Sequence, residues 1–551
     1  MDLRKRILKR HEDLKNERAS WVDHWRDVSR HLLPRSGRFL AQERNRGDRR
    51  FNDIYDSTGT QALRILAAGM MSGMTSPARP WFKLAIRDEE LMQHYPVKLW
   101  LDQATKLMHA VFQRSNTYRA LHAVYEELGA FGTAACMMMP DYYNVLHHYP
   151  LTVGEYAVAT NWKGEVDTIY REFQKTVAET VREFGYENCS RSLRRRYDNG
   201  QYDAWITIIH AVEPRLERDE TRRDAKNMPW RSVYLEKGSG ADDVLRESGF
   251  KRFPALCPRW VVSGGDIYGH SPGMEALGDI KQLQHEQLRK AQGIDYQTNP
   301  PLQVPADLKY RDVDRLPGGI VYTDAAQAGI RPLYEVRLDL NHLLQDIQDV
   351  RGRIRSTFYA DLFLMLSNQQ NPNMTATEVA ERHEEKLLML GPVLERLQNE
   401  LLDPLIETTF DFMVEAQMLP PPPEELAEAD IDIQLVSMLA QAQQAVATGS
   451  IDRFIGTMGS VAQFKPEVLD KIDGDRLADV YASALGVDQS IMLPDDDVQA
   501  LREQRAQQQQ AQAQSEMLNQ AADTVQKMGN AVGQEAVTDM FSGYGYREKA
   551  A

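Results

Sequence analysis

The chain has 551 residues, 42% hydrophobic and 26% charged, with a formal net charge of −15 and a pI near 5.5. This is globular composition, long enough for more than one hydrophobic core and neither fibrous nor wholly disordered. The acidity is lopsided: residues 401–551 hold 9 Lys/Arg against 25 Asp/Glu, whereas the first 400 hold 56 against 55. No run approaches the roughly 18 apolar residues of a membrane span, and Met1-Asp-Leu-Arg-Lys-Arg leads into charge where a signal peptide has its apolar core. A soluble protein made in the cytoplasm is expected. Cys136, Cys189 and Cys257 are odd in number and far apart, which excludes a disulfide framework or a CxxC metal site and predicts reduced, mostly buried thiols.

Residues 1–33 read as helical, with Leu3, Ile7, Leu14, Trp21, Trp25, Val28 and Leu32 on one face and Pro34 ending the run. Residues 1–50 carry 15 Lys/Arg against 8 Asp/Glu, interspersed as on a solvated helix, although a contact with an acidic partner or nucleic acid would use the same charges. A second helix is expected over Thr58 to Gly73, its Ala, Gly and Met surface suited to close packing, with Trp81 and Phe82 delivered to the same core. Pro96 to Leu128 is helical in pattern, and Gly129 to Met139 reads as a helix end passing into a buried strand. From Val145 to Val262 the texture turns to aromatic and β-branched runs: Tyr156–Thr160, Val166–Phe173 and Trp205–Val212, with Asn161–Gly164 as a hairpin loop and a helix over Thr176–Phe184.

Two amphipathic helices follow. Leu277, Ile280, Leu288 and Ala291 mark one from Glu275 to about Ala291; Leu340, Leu343, Leu344, Ile347, Val350, Ile354 and Phe358 mark the other. Between them, Asn299–Pro305 and Leu316–Tyr322 carry prolines and glycines that favour short strands and turns. Leu366–Asn373 is polar and poor in helix formers, hence a loop. Thr375 and Glu378 have the spacing of a capping box, and behind them Val379, His383, Leu387, Leu390, Leu394, Leu397 and Leu401 form one stripe of a long helix. Gly391-Pro392 and Asp403-Pro404 predict kinks in it, because proline lacks an N–H and crowds the preceding turn. Pro420–Pro423 is a stiff break, Ala429 to Leu485 reads as short helices, and Arg502 to Gln514 as a helix or a disordered tail. The fold class is mixed α+β, predominantly helical.

The usual constellations for catalysis are missing. There is no GxxxxGK[ST] phosphate loop, HExxH, GxSxG or CxxC pair, so no catalytic residue, cofactor or metal is expected. Asp495–Asp497 lacks the alternation of a calcium loop, and His147, His148 and His383 read as packed or surface histidines rather than ligands. An acidic chain without a recognition motif is not a sequence-reading DNA binder.

Three ordered stretches carry a resemblance. Thr375-Ala-Thr-Glu-Val379 with Gly391-Pro-Val-Leu394 and Leu401-Leu-Asp-Pro-Leu-Ile-Glu407, Leu66 to Phe82, and Gly264 to Leu277 resemble the portal, or head-to-tail connector, proteins of short-tailed bacteriophages over roughly residues 10–420. The resemblance implies a subunit with an N-terminal helical part of the wing (1–144), a β-rich wing module (145–272), stem helices at 273–297 and 337–360 flanking a clip (298–336), and a tunnel loop (361–374). A long kinked wing helix (375–419), a crown-like region (420–500) and a Gln/Ala-rich end (501–551) would complete it. It implies a ring, a dodecamer in that family, at one capsid vertex of the virion, assembled in the host cytoplasm. Double-stranded DNA would pass through without sequence readout; terminase, capsid, scaffolding and tail adaptor proteins would be partners, and a membrane would not. Ser367, Asn368, Gln369, Gln370, Asn371 and Asn373 would line the tunnel loop; Lys281, Arg289, Lys290, Arg351, Arg353 and Arg355 would mark the stem; and Leu302, Val304, Leu308, Tyr310, Ile320 and Tyr322 would dock the tail. A metal-dependent DNA-processing enzyme using Asp495–Asp497 and an adaptor or scaffold without a pore remain alternatives.

Overall fold

The computed structural model describes residues 2–39, 53–86, 94–222, 224–238, 244–303, 331–332, 341–367, 390–426, 431–436, 454–461 and 498–512, with a few single positions between. In chain order the body begins with α1 (Leu3–Glu17), α2 (Ala19–His31), α3 (Thr58–Met74), β1 (Phe82–Ile86), α4 (Tyr95–Arg114) and α5 (Thr117–Phe131). Next come β2 (Ala135–Asp141), β3 (Val145–Leu151), β4 (Tyr156–Thr160), β5 (Val166–Thr176), α6 (Val177–Phe184), α7 (Arg191–Asp198), β6 (Trp205–Pro214), β7 (Trp230–Glu236), β8 (Arg246–Phe250) and β9 (Ala255–Leu256). The rest comprises α8 (Pro272–Glu275), α9 (Leu277–Thr298), β10 (Leu302–Gln303), β11 (Arg331–Pro332), α10 (Asn341–Thr357), α11 (Ala360–Ser367), α12 (Asp403–Glu415) and β12 (Ile431–Leu435).

The main core gathers Trp25, Leu63, Leu66, Met70, Phe112, Leu128 and Phe131 from the N-terminal helices with Ile280, Ile354, Leu397 and Leu405 from elements far along the chain. Small residues on α3 permit this crowding. A Cβ at Gly69 would fall inside the ring of Phe363, so only glycine lets α11 lie this close. At Gly132 the chain leaves α5 in the left-handed conformation (φ 75°), and a side chain there would collide with the Gly269 carbonyl.

Two helices expected as continuous are each broken by a specific bond. Arg18, between α1 and α2, turns a buried guanidinium onto the carbonyl of Tyr156. Asn116, between α4 and α5, donates its amide to the His148 carbonyl (2.8 Å) and accepts the His148 N–H (2.9 Å), which ties the helix pair to β3. His148 is itself buried, its ring Nε2 2.9 Å from Thr117 Oγ1, and burial pushes its pKa down to about 3. It is a packed, neutral histidine.

The β-rich module is a five-stranded antiparallel meander, β4-β5-β6-β7-β8, beside a three-stranded sheet of order β3-β2-β9. Central strand β6 is covered on both faces, which is why Ile206-Thr-Ile-Ile-His-Ala-Val212 reads as a nearly continuous apolar run. Ile209 and Ala211 face α1 with Ile7 and Leu14; Ile206 and Ile208 face α6 and α7 with Val177, Phe184 and Leu193. Thr176 caps α6 with a reciprocal Glu179 capping box.

Two expectations are corrected. Residues 361–367, assigned to a loop, are helical: Leu362 and Phe363 are buried, and apolar packing on α3 outweighs the polarity that begins at Ser367. Residues 431–435, expected among short helices, form β12, antiparallel to β1 with Phe82 opposite Leu435 and Ile86 opposite Ile431. The alternation Ile-Asp-Ile-Gln-Leu is a strand period. All three cysteines are free and buried.

Glu127 of α5 is buried where the N-terminal segment meets the β3–β4 turn. It accepts Thr152 Oγ1–H (2.8 Å) and Val153 N–H (3.3 Å), and burial raises its carboxyl to a pKa of about 7. Because the folded pKa exceeds the unfolded one, stability is greatest below about pH 4.5 from this group and is lost as pH rises towards 7. Glu127→Gln, which mimics the protonated acid, should flatten thermal stability between pH 5 and 7; a pH series of melting curves checks this.

Candidate functional site

The candidate site is the helical hairpin of α9 and α10, which leaves the body between the N-terminal helices. Ser271 opens it by accepting the Met274 N–H (3.0 Å) and donating to the Ala130 carbonyl (2.8 Å). Burial is confined to one half of α9: Leu277, Ile280, Leu283, Gln284 and Glu286 are covered, and the residues from Ala291 to Asn299 are exposed except half-buried Gly293. A 22-residue helix is about 33 Å long, so the hairpin projects well beyond the core that holds its base. On the other strand of the hairpin, Ile347, Val350 and Ile354 complete the seam. Further out, Ile294, Tyr296 and Leu344 stay between 39% and 49% exposed. At the far end β10 and β11 pair, Leu302 opposite Pro332 and Gln303 opposite Arg331.

Asp56 fixes the base. Its Oδ1 accepts Thr58 N–H (2.9 Å) and Oγ1–H (2.5 Å), starting α3; its Oδ2 accepts Gln287 of α9 (2.9 Å) and both Nε (3.1 Å) and Nη2 (2.7 Å) of Arg351 on α10. Gln284 completes the clamp: its Oε1 accepts the N–H groups of Tyr55 (2.6 Å) and Asp56 (2.8 Å), and its amide donates to the Asp56 carbonyl (3.0 Å). Burial alone would raise the Asp56 pKa, but the hydrogen bonds from Thr58 and Arg351 outweigh it and hold the carboxyl below its usual value.

The stem candidates divide on this geometry. Arg351 is turned inward onto Asp56, and Arg353 pairs with Asp279 (3.2 Å) and with Asp349. Lys281 pairs with Asp27 of α2, and Arg289 donates to His285 Nε2 (3.4 Å). Lys290 is half-buried and Arg355 exposed, with no ion pair among the described residues. Across the seam, burial and the facing Asp346 raise the carboxyl of Glu286. Ser367 ends α11; Asn368, Gln369, Gln370, Asn371 and Asn373 lie outside the described residues, as do Val304, Leu308, Tyr310, Ile320, Tyr322, His383, Asp495–Asp497 and the capping box at Thr375. Leu302 lies in β10.

Composition and periodicity missed Asp56 and the pair Arg259–Glu400. Arg259, with a side chain 3% exposed, meets Glu400 with Nη2 on Oε1 (2.6 Å) and Nε on Oε2 (3.2 Å), and holds the β4–β5 loop by donating to the Gly164 carbonyl (2.7 Å). Residues 390–397 are helical through Gly391-Pro392, and Glu400 lies in a π-helical turn, Gln398–Leu402, that leads into α12. The expected irregularity at Asp403-Pro404 takes this form: Pro404 has no N–H, and the wider turn absorbs the missing bond. Among the described residues no group of three or more His, Cys, Asp or Glu is placed to hold a metal, and no helix is long and apolar enough to cross a membrane.

The described residues thus form a projecting helical hairpin on a mixed α+β body, with ionic groups used for anchoring. The model of the bacteriophage head-to-tail connecting proteins matches residues 4–493, and the chain belongs to that family, the portal proteins of the head–tail connection. It is 59% identical over 548 residues to the "Probable portal protein" of Bordetella phage BPP-1, covering 98% of this chain and 99% of the relative. It is 47% identical over 522 residues to the "Portal protein" of Salmonella phage epsilon15, covering 94% of each. A chain from the virion of the native gene transfer agent particle shares 12% identity, with a TM-score of 0.36 over 79% of this chain and 95% of that one. The family is structural, not enzymatic.

Asp56→Ala should lower stability by about 3 kcal/mol, since it removes the α3 cap and leaves the Arg351 guanidinium without its partner. Asp56→Asn, which can still accept from Thr58, should cost less. Denaturant midpoints of the two variants provide the measurement.

Proposed function

We propose that the chain closes into a ring, a dodecamer as in its family, seated in the virion at one capsid vertex. Double-stranded DNA would enter and leave through the axial channel. The observation that supports this is the outer half of the hairpin, where Ile294, Tyr296 and Leu344 are left exposed among the described residues. A second copy packed stem against stem would cover them. Contacts of this heterologous kind close into rings when the rotation per subunit divides the circle.

In this reading 273–297 and 337–360 are the stem, 298–336 is the clip that meets tail adaptor proteins, and the wing meets capsid and scaffolding proteins after assembly in the host cytoplasm. The region after Ser367 approaches DNA through Asn368, Gln369, Gln370, Asn371 and Asn373. Arg289, Lys290 and Arg355, less committed than Arg351, are the stem cations available to a neighbour or to DNA. No phosphate loop is present in the sequence, so the energy for translocation comes from a docked terminase.

Negative-stain electron microscopy with the mass in solution tests the assembly: rings with an open axial hole and a mass near ~12 subunits are expected. A closed disc would favour an adaptor, and a stable monomer would sink the reading. Deleting Asn299–Tyr334 should leave rings intact and abolish tail attachment in an assembly assay; loss of ring formation would refute the clip assignment.

A further inference from the structure

Helix α7 has the sequence Arg191-Ser-Leu-Arg-Arg-Arg-Tyr-Asp198 and stands on the face of the five-stranded sheet opposite α1, with Leu193 as its one buried residue. Arg194 is used locally: it donates to the carbonyls of Cys189 (2.8 Å) and Glu187 (3.1 Å) and lies over the Tyr186 ring at 5.7 Å. The helix's acid, Asp198, accepts the Tyr186 hydroxyl (2.9 Å). Arg191, Arg195 and Arg196 are exposed, and their side chains have no ion pair or hydrogen bond among the described residues. In the stem, by contrast, Arg351 and Arg353 are held by carboxylates.

This arrangement costs the helix stability. Arg191 and Arg195 are like charges at i,i+4, and there is no acidic residue in the first turn to meet the positive end of the helix dipole. Among the described residues nothing is gained in return. The support beneath is firm: Ser190 caps α7 by accepting the Leu193 N–H (3.2 Å), and Tyr186, Tyr197 and Tyr202 pack edge to face at 6.1 and 5.0 Å. The lobe rests on Phe184 and Tyr234, both overlain by Arg246.

We propose that Arg191, Arg195 and Arg196 form a docking surface for the phosphate backbone of double-stranded DNA, distinct from the α9–α10 hairpin. Guanidinium groups present paired N–H donors that match phosphate oxygens. Their display on a convex helix fits a regularly charged polymer that touches by its backbone. An acidic peptide, the other polyanion such a row could attract, would be expected to gain its affinity from a groove that also accepts apolar side chains, and α7 stands proud. Contact by three phosphates carries no sequence information and is strongly salt-dependent.

The test uses the full-length protein in its assembled state and covalently closed circular DNA, which cannot thread a ring that is already closed. Binding should weaken roughly fortyfold between 50 and 200 mM salt if three phosphates are contacted, from a slope of about −0.9 per contact. The variant Arg191→Gln/Arg195→Gln/Arg196→Gln should lose most of that affinity and show a shallower salt slope, at unchanged assembly mass. Arg195→Lys/Arg196→Lys should lose less. Wild-type affinity and slope in the triple variant would overturn the proposal, as would an absence of binding by the wild type. Competition by polyglutamate as effective as that by unlabelled DNA, at equal charge, would assign the surface to an acidic polypeptide instead. Assembly mass and pore are read separately, so failure here leaves the channel reading untouched.

Discussion

The Asp56 carboxylate is the point on which the placement of the α9–α10 hairpin depends. It starts α3, takes Gln287 from α9 and Arg351 from α10, and is framed by Gln284, so one side chain sets the N-terminal body and both hairpin helices against one another. Apolar contacts alone would permit sliding along the seam of Ile280, Leu283, Ile347 and Val350, since dispersion is non-directional. A bidentate guanidinium on a buried carboxylate permits little. The hairpin is therefore fixed at its base, while its outer half is left exposed among the described residues.

A second fixed point, Arg259–Glu400, does for the β-rich module what Asp56 does for the α9–α10 hairpin. Glu400 accepts the Arg259 backbone N–H (2.9 Å) as well as its side chain, and Arg259 reaches on to the Gly164 carbonyl. The π-helical turn is what aims Glu400, because one extra residue in the turn rotates everything before it relative to α12. Next to it, Asp403 is raised to a pKa of about 6 by burial, with Glu407 and Asp432 adding to the shift. Asp432 belongs to β12, so the junction also feels the charge of the strand that β1 pairs with. The helical segment 390–415, the β-rich module and the N-terminal body thus meet at two polar clamps within a largely apolar core.

The difference between what was legible in the sequence and what was not follows from the range of the interactions. The stripe Leu390, Leu394, Leu397, Leu401 was readable, and all four are buried. Tyr156–Thr160 was readable to the residue as β4, and Thr176 as the start of α6, because alternation and capping are local. The breaks at Arg18 and Asn116 were not, since each depends on a partner more than 30 residues away. β12 was missed because its alternation occupies only five residues and gains meaning from β1, some 350 positions earlier. For the site, periodicity marked both helices of the hairpin, yet it treated Arg351, Arg353 and Arg355 alike. Asp56 divides them, and nothing around Asp56 in the sequence distinguishes it from a surface acid.

Paired and unpaired cations do different work in this molecule. A charge held by carboxylates, as at Arg351 and Arg353, has its field largely neutralised and offers little to a passing phosphate; a conduit gains from this, since each phosphate neutralised tightly along a channel would slow transit. An unpaired row such as that on α7 keeps its full field and is attractive at contact range, within the roughly 8 Å over which salt leaves it unscreened. Both kinds coexist in a chain whose net charge is −15, most of it beyond residue 400. Net charge therefore says little about where such a protein meets a polyanion. What decides it is which arginines the fold has already satisfied.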